Sequence, residues 1–420
     1  MSAHFTPFLF AHAEGLLSEL IGSRLAADAV VSAFFRRHRE LGHGDRSFVA
    51  EAVYLVLRHR RSLSARCADD VTSRRLLLAA LACEQGMNRR QLETVLSAAD
   101  HRWLAHAKAV KVDDLPPAVR ADLPDWLYAQ LGAVYPPAEL EHLASALNQP
   151  APLDLRVNTL KAERTAALAR LQADGLSAVA CPHAPEGIRL RGKPALARHP
   201  LFLDGSVEVQ DEGSQLLAYL LQPKRGEMVA DFCAGAGGKT LQLGAMMRSQ
   251  GRLYAFDVSA QRLARLKPRL ARSGLSNVHP VRIESERDSK IRRLAGKLDR
   301  VLIDAPCSGL GTVRRNPDLK WRQTEQSIAE LSRKQEAILT AAASLLKSGG
   351  RLVYATCSLL EAENEAVVRN FLGAHPDFVT CSAAEILGTQ GIALDTGERL
   401  CLLPHRHATD GFYAAVMERE

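Results

Sequence analysis

A chain of 420 residues, 47% apolar and 24% charged, exceeds what one hydrophobic core usually serves, so two or three globular domains are expected. Its longest apolar runs, such as LLLAALA at 76–82, fall well short of the roughly 20 residues that span a bilayer, and MSAHFTPFLFAHAEG at the N-terminus has no basic start or small-residue cleavage site. Membrane insertion and secretion are therefore not expected, and the reading is a cytoplasmic protein. The formal net charge of +7 favours a polyanionic partner, while eight scattered cysteines with no CxxC pair and no histidine cluster at zinc spacing argue against a disulfide scaffold or a structural metal.

From residue 10 to about 145 apolar residues recur at three- and four-residue steps, as in FVAEAVYLVLRHRR and SRRLLLAALACEQ, which predicts helices uninterrupted by a strand. Eight arginines (Arg36, Arg37, Arg39, Arg46, Arg58, Arg60, Arg61 and Arg66) stand against Glu40, Asp45 and Glu51 here, so a solvated helix face competes with an RNA-backbone surface. Prolines 116, 117, 124, 136 and 137 punctuate the end of this region, and QPAP at 149–152 reads as a boundary. Beyond it LDLRVNTL and GIRLRG read as strands around the helix ERTAALARLQADG, a small α/β module to about residue 205. Strands and helices then alternate as in a doubly wound sheet: EMVADFCA, GRLYAFDV, HPVRI, LDRVLIDAP, GRLVYATCS and finally GFYAAVMERE.

Three features of this last part carry chemistry. VADFCAGAGGKT joins a strand to a helix through Gly235, Gly237 and Gly238, residues that let a ligand approach the backbone closely. A phosphate-cradling P-loop would need a glycine where Cys233 stands, so a dinucleotide, an adenosyl cofactor or a simple tight turn remain. Asp257, 26 residues beyond Asp231, ends the next strand and is placed to accept ribose hydroxyls or to cap the helix after it. Cys307 in DAPCSG and Cys357 in YATCS each follow a central strand at the edge where open α/β sheets bind ligands, whereas Cys83 and Cys381 read as small buried hydrophobes.

DFCAGAGGKT, DAPCSGLG, ATCS followed by ENEAVV, and DGFYAAV together resemble the RNA (cytosine-5) methyltransferases of the RsmB/NSUN type, over at least residues 150–420. GDRSFVAEAVYLVLRHRR resembles the NusB-like RNA-binding domain of the bacterial branch. The resemblance implies an α/β fold: a NusB-like helical domain (1–148), a small RRM-like module (149–205) and a Rossmann-like class I methyltransferase domain (206–420). It implies S-adenosylmethionine as cofactor, contacted by Cys233, Ala234, Gly235, Ala236, Gly237, Gly238, Lys239, Asp257 and Asp304, and an RNA substrate, ribosomal by preference, bound by a monomer that needs no metal. The family loop reads CAAPGGKT, so Gly235 and Ala236 here replace Ala-Pro; and where the family has a Gly-Asp pair, VRIESERD offers Glu284, Glu286 or Asp288, of which Glu284 is the expected cofactor ligand.

By the same resemblance Cys357 attacks carbon 6 of cytosine, making carbon 5 enamine-like, Cys307 assists release, and Asp304 holds the base near ring nitrogen 3. Arg314, Arg315, Lys320 and Arg322 are expected to hold RNA phosphates, the bland alternative being a surface loop. A DNA cytosine-5 enzyme would place its nucleophile in a Pro-Cys pair, here Pro306-Cys307, and has no use for Cys357. A non-catalytic RNA-binding assembly factor has no chemical reason to keep both thiols, and a nicotinamide dehydrogenase would want GxGxxG.

Overall fold

Thr6 opens the first helix, Pro7–Ile21, by accepting a hydrogen bond from the Leu9 N–H, and the helix turns Leu9, Phe10, Ala13, Leu16, Leu17 and Leu20 inward. In this computed structural model, which describes residues 5–68, 70–192 and 194–420, the same pattern repeats through Ala27–Arg37, His43–Arg58, Arg60–Cys67 and Ser73–Ala79. Residues 1–4, part of the stretch read for a leader, lie outside the described residues. Val49, Val53, Val56, Leu63, Leu77, Leu78 and Leu81 fill the core between the helices, each fully buried aliphatic side chain contributing about 1.5–3 kcal/mol. No strand occurs among the described residues of this region, as the periodicity predicts.

The chain folds into two compact units, and the division is not the one expected. The helical unit runs to Pro150 but also takes in Val313–Gln323, a segment that follows the DAPCSG motif. Asp318 Oδ2 accepts the Ala27 N–H at 3.1 Å, capping a helix whose own N-cap, Ala26, has no side chain to do so. Trp321 Nε1 donates to Leu57 O at 2.7 Å and Lys320 Nζ to Arg58 O and Asn148 Oδ1, each at 2.8 Å, so two carbonyls from the end of His43–Arg58 find donors. Lys320 is buried.

The second unit, Ala151–Thr312 and Thr324–Glu420, contains two sheets. The smaller has the order β2-β3-β1-β4, all antiparallel, from β1 (Leu153–Val157), β2 (Ala178–Ala180), β3 (Gly187–Leu190) and β4 (Val207–Val209). Leu155, Val157, Ile188, Leu190 and Val207 pack with Ala167 and Leu171 of the helix Arg164–Ala173. β4 lies past the expected module end at 205, because its three residues pair with β1 rather than with the larger sheet.

The larger sheet comprises β5 (Met228–Asp231), β6 (Arg252–Asp257), β7 (Val278–Arg282), β8 (Leu298–Asp304), β9 (Leu346–Thr356), β10 (Phe378–Cys381), β11 (Leu400–Leu402) and β12 (Phe412–Arg419). Its order is β10-β12-β9-β8-β5-β6-β7 with β11 on β12; β5 to β9 are parallel, β10, β11 and β12 antiparallel. Successive strand residues enter opposite cores: Val353 and Ala355 pack with Leu217, Leu241 and Leu266, while Leu352 and Tyr354 pack with Ile338, Leu339 and Val367. The order reverses between β5 and β8, which opens a crevice at the carboxyl edge.

Burial brings the Lys320 ammonium down to about 7, with Asp122 opposing and Arg58 adding to the effect. A neutral amine has two N–H groups, matching its two acceptors. In the unfolded chain the group titrates near 10.4, so between pH 7 and about 10 the unfolded state binds the extra proton and this residue's contribution to stability rises with pH. Urea unfolding at pH 7 and pH 9.5 should show that gain in the native protein and a smaller one in Lys320→Met.

Candidate active site

Asp231, Asp257 and Asp304 end β5, β6 and β8, and Cys357 follows β9 directly. The parallel pairing of these strands therefore delivers three carboxyls and a thiol to one edge, around a cavity of about 390 Å³. Its wall includes Cys233, Ala234, Gly235, Ala236, Gly238 and Lys239 of the glycine loop, together with Asp257, Asp304, Cys307 and Cys357. Gly237 stands behind that wall at φ +84°, where a Cβ would overlap Leu266 Cδ1, so glycine is required for both backbone shape and helix packing. Cβ atoms at Gly235 and Gly238 would meet nothing within 4 Å, leaving their backbone open to a ligand.

The loop is tied on two sides. Asp257 Oδ2 accepts the Gly235 N–H at 2.8 Å, and its Oδ1 accepts the Ser259 N–H at 2.7 Å and pairs with Arg262 at 3.2 Å; each oxygen keeps acceptor capacity. Ala236, standing in the proline position of the family pattern, donates no rigidity of its own, but its carbonyl accepts Arg269 Nη1 at 2.7 Å. Arg269 is held in turn by Glu208 of β4, which also pairs with Arg272, so the small sheet braces the glycine loop.

Acid is plentiful in the crevice. Asp231 is buried with Thr240 Oγ1 donating to Oδ2 at 2.6 Å, its Oδ1 has no protein partner among the described residues, and burial raises its carboxyl to about 6. Lys239 Nζ donates to Asp304 Oδ2 at 2.7 Å; burial opposes its charge, but Asp304, Asp231 and the Cys357 thiol outweigh that and hold the ammonium above its ordinary value. Unpartnered acid beside open backbone suits a small ligand that brings donors and positive charge.

Cys307 and Cys357 meet with Sγ atoms 3.4 Å apart. The bond to Cys357 and then burial push the Cys307 thiol well above its ordinary value, so Cys307 is held as a protonated thiol. Glu363, fully buried, connects the two loops: Oε1 accepts the Ser308 N–H at 2.8 Å and Gln335 Nε2 at 3.0 Å, and Oε2 accepts Ser358 Oγ at 2.5 Å. Gly311 donates its N–H to Cys357 O and accepts from the Gly411 N–H, both at 2.8 Å, in a backbone contact too close for a Cβ at Gly311. Glu363 and Asn364 sit in the ENEAVV stretch that carried the family resemblance, yet no role was legible there; the signal was an acid and an amide just after the second thiol.

Two expectations need correction. Glu284 is exposed and outside the cavity wall, whereas Glu286 lines it, because Asp288 accepts the Glu284 N–H and turns the chain there. Arg314 and Lys320 are buried in the helical unit, Arg314 with Nη2 near Pro150 O at 3.3 Å, and do not present charge to a phosphate; Arg315 is half-buried and Arg322 exposed on Asp318.

Glu363→Gln keeps the shape but sets an amide N–H against one of three donors. It is expected to cost about 1–3 kcal/mol in urea unfolding and to speed modification of Cys307 by a thiol reagent.

Residues 218–418 match the family model described as 16S rRNA methyltransferase RsmB/F, and residues 123–196 match the ferredoxin-like domain of the RsmF/B-like methyltransferases. The chain is 40% identical over 298 residues to the probable ribosomal RNA small subunit methyltransferase B of Synechocystis sp., covering 70% of this chain and 66% of that protein. It is 37% identical over 334 residues to the ribosomal RNA small subunit methyltransferase B of Sodalis glossinidius, covering 80% and 74%. The crystal structure of PH0851 superposes with a TM-score of 0.79 at 25% identity, covering 99% of this chain and all of that one. On these matches, the chain belongs to the RsmB/F methyltransferase family.

Proposed function

We propose that this protein methylates carbon 5 of a cytosine in RNA, with S-adenosylmethionine as donor, small-subunit ribosomal RNA as substrate and the cytoplasm as its location. The observation that supports it most is the pair of thiols 3.4 Å apart on the wall of a cavity that also holds the glycine loop. A methyl donor alone would need the loop; two sulfurs at one point suit a reaction in which a covalent bond must be both made and broken. The names of the relatives direct the choice of RNA toward the small ribosomal subunit, ahead of transfer RNA or large-subunit RNA.

The open backbone of Gly235 and Gly238, the unpartnered Asp231 Oδ1 and the acids Asp257 and Glu286 fit the adenosine and the positive charge of the cofactor. Bound there, S-adenosylmethionine supplies an electrophilic methyl on a sulfonium. The target base must be unpaired or flipped out before a thiol reaches its ring. As Cys357 Sγ bonds to carbon 6 its proton passes to nitrogen 3, where the Asp304 carboxylate, kept in place by Lys239, accepts the new N–H, and the electron pair of the 5,6 double bond becomes available at carbon 5. Carbon 5 takes the methyl group, whose former bonding pair stays with the departing sulfur. Loss of the carbon 5 proton to water returns a pair to the ring, the carbon 6–sulfur bond breaks as the double bond re-forms, and the nitrogen 3 proton goes back to the departing Cys357 Sγ. Cys307 assists that release. Of the basic run, Arg315 and Arg322 are assigned to RNA phosphates.

Each thiol has a distinct expected phenotype. With tritiated S-adenosylmethionine and total RNA from cells lacking the gene, Cys357→Ala should transfer no label, whereas Cys307→Ala should accumulate protein covalently attached to RNA, visible as a denaturant-resistant band. Label transfer by Cys357→Ala, or binding without transfer by the native protein, overturns the proposal. Arg269→Leu removes the donor from Ala236 O and is expected to weaken S-adenosylmethionine binding about tenfold, near 1.4 kcal/mol, measured by calorimetry.

A further inference from the structure

His12, His38 and Glu40 are separated in sequence by a helix and a turn, yet their ligand atoms all lie within 4.8 Å of one another. His12 belongs to the helix Pro7–Ile21, and His38 and Glu40 follow the helix Ala27–Arg37. Phe34 packs against the His38 ring at 4.1 Å between centroids and Phe8 against His12 at 4.3 Å, so both imidazoles are oriented by packing.

The hydrogen bonds define which atoms face the cluster. His12 Nδ1 lies 2.8 Å from Phe8 O, which can only accept, so Nδ1 keeps a proton and Nε2 is the nitrogen left to face the cluster. It faces Glu40 Oε1 at 3.2 Å, a hydrogen bond that a bound cation would replace. His38 Nδ1 faces the same oxygen at 2.9 Å. A ring nitrogen whose partner N–H is fixed by a backbone carbonyl is the usual arrangement of a metal-bound histidine. Four-coordinate zinc with bonds of 2.0–2.1 Å has ligand-to-ligand edges of about 3.3–3.4 Å, against 3.2 and 2.9 Å for the two histidine-to-carboxylate pairs here.

We propose that the helical unit carries a site for one zinc-class divalent cation, bound by His12 Nε2, His38 Nδ1 and the Glu40 carboxylate, with water in the fourth position. Two imidazoles and one carboxylate suit this borderline ion over calcium or magnesium, which want oxygen alone. The bound cation joins the first helix to the turn after the second. The other group of three ligand types, Asp154, Cys181 and Glu212, takes no ion: Arg189 already occupies it, at 2.7 Å from Asp154 and 3.2 Å from Glu212.

The test uses the full chain, stripped with chelator, in a Cys307→Ser, Cys357→Ser background so that the paired thiols do not compete for metal. Zinc chloride titrated in a calorimeter should bind one ion per chain with a dissociation constant of about 10 μM or tighter, and cobalt(II) should show the strong visible absorption of a tetrahedral site. His38→Gln and Glu40→Gln, both at exposed or half-exposed positions, should each weaken zinc binding at least tenfold while the metal-free circular dichroism and thermal midpoint stay as in the parent. Affinity that survives both substitutions, or no saturable binding below about 1 mM, overturns the site.

Discussion

The parallel register of β8 on β9, with Asp304 opposite Ala355 and the Ala305 N–H donating to Ala355 O, is the constraint from which the crevice follows. It sets the two strands to end level, so the residues just beyond them, Cys307 and Cys357, leave the sheet side by side. A slip of one residue would turn every side chain of one strand to the opposite core and part the sulfurs. The pairing is secured beyond the strands by Glu363, which holds Ser308 and Ser358, and by the backbone bonds running from Cys357 through Gly311 to Gly411.

Around that frame the electrostatics are costly for stability. Asp231, Asp257 and Lys239 are all buried, and buried ion pairs rarely repay the loss of hydration. Thr240 and the Gly235 N–H satisfy part of the cost, yet Asp231 keeps an oxygen with no protein partner among the described residues. Such a cluster is explained by what it binds rather than by folding. Arg269 and Glu208 show a related exchange: where the family pattern has a stiff proline, an ion pair of half-buried Arg269 with buried Glu208 of the small sheet fixes the loop carbonyl instead.

The chain also departs from a simple succession of domains. Val313–Gln323 leaves the unit that contains the thiols and supplies to the helical unit a cap from Asp318 and two donors to backbone carbonyls, Trp321 and the buried Lys320. Four basic side chains within nine positions, Arg314, Arg315, Lys320 and Arg322, read as a phosphate-binding loop only while their surroundings are unknown. Packing sorts them, burying Arg314 and Lys320 and leaving Arg322 exposed.

The sequence by itself determined the helical character of the first 145 residues, the alternation of strands and helices, the glycine loop, the acids at strand ends and the two thiols, because periodicity and short motifs are local properties of the chain. Its strand list lacked β2, β4, β10 and β11, each three or four residues long and specified by pairing partners rather than by pattern. Only the tertiary structure decided which acid after β7 faces the cavity, that Glu363 ties the thiol loops, that Arg269 braces Ala236, and that His12 meets His38 and Glu40. Those are contacts between residues 26 to 55 positions apart or side-chain directions set by a single turn, and no local pattern encodes a distance closed by the fold.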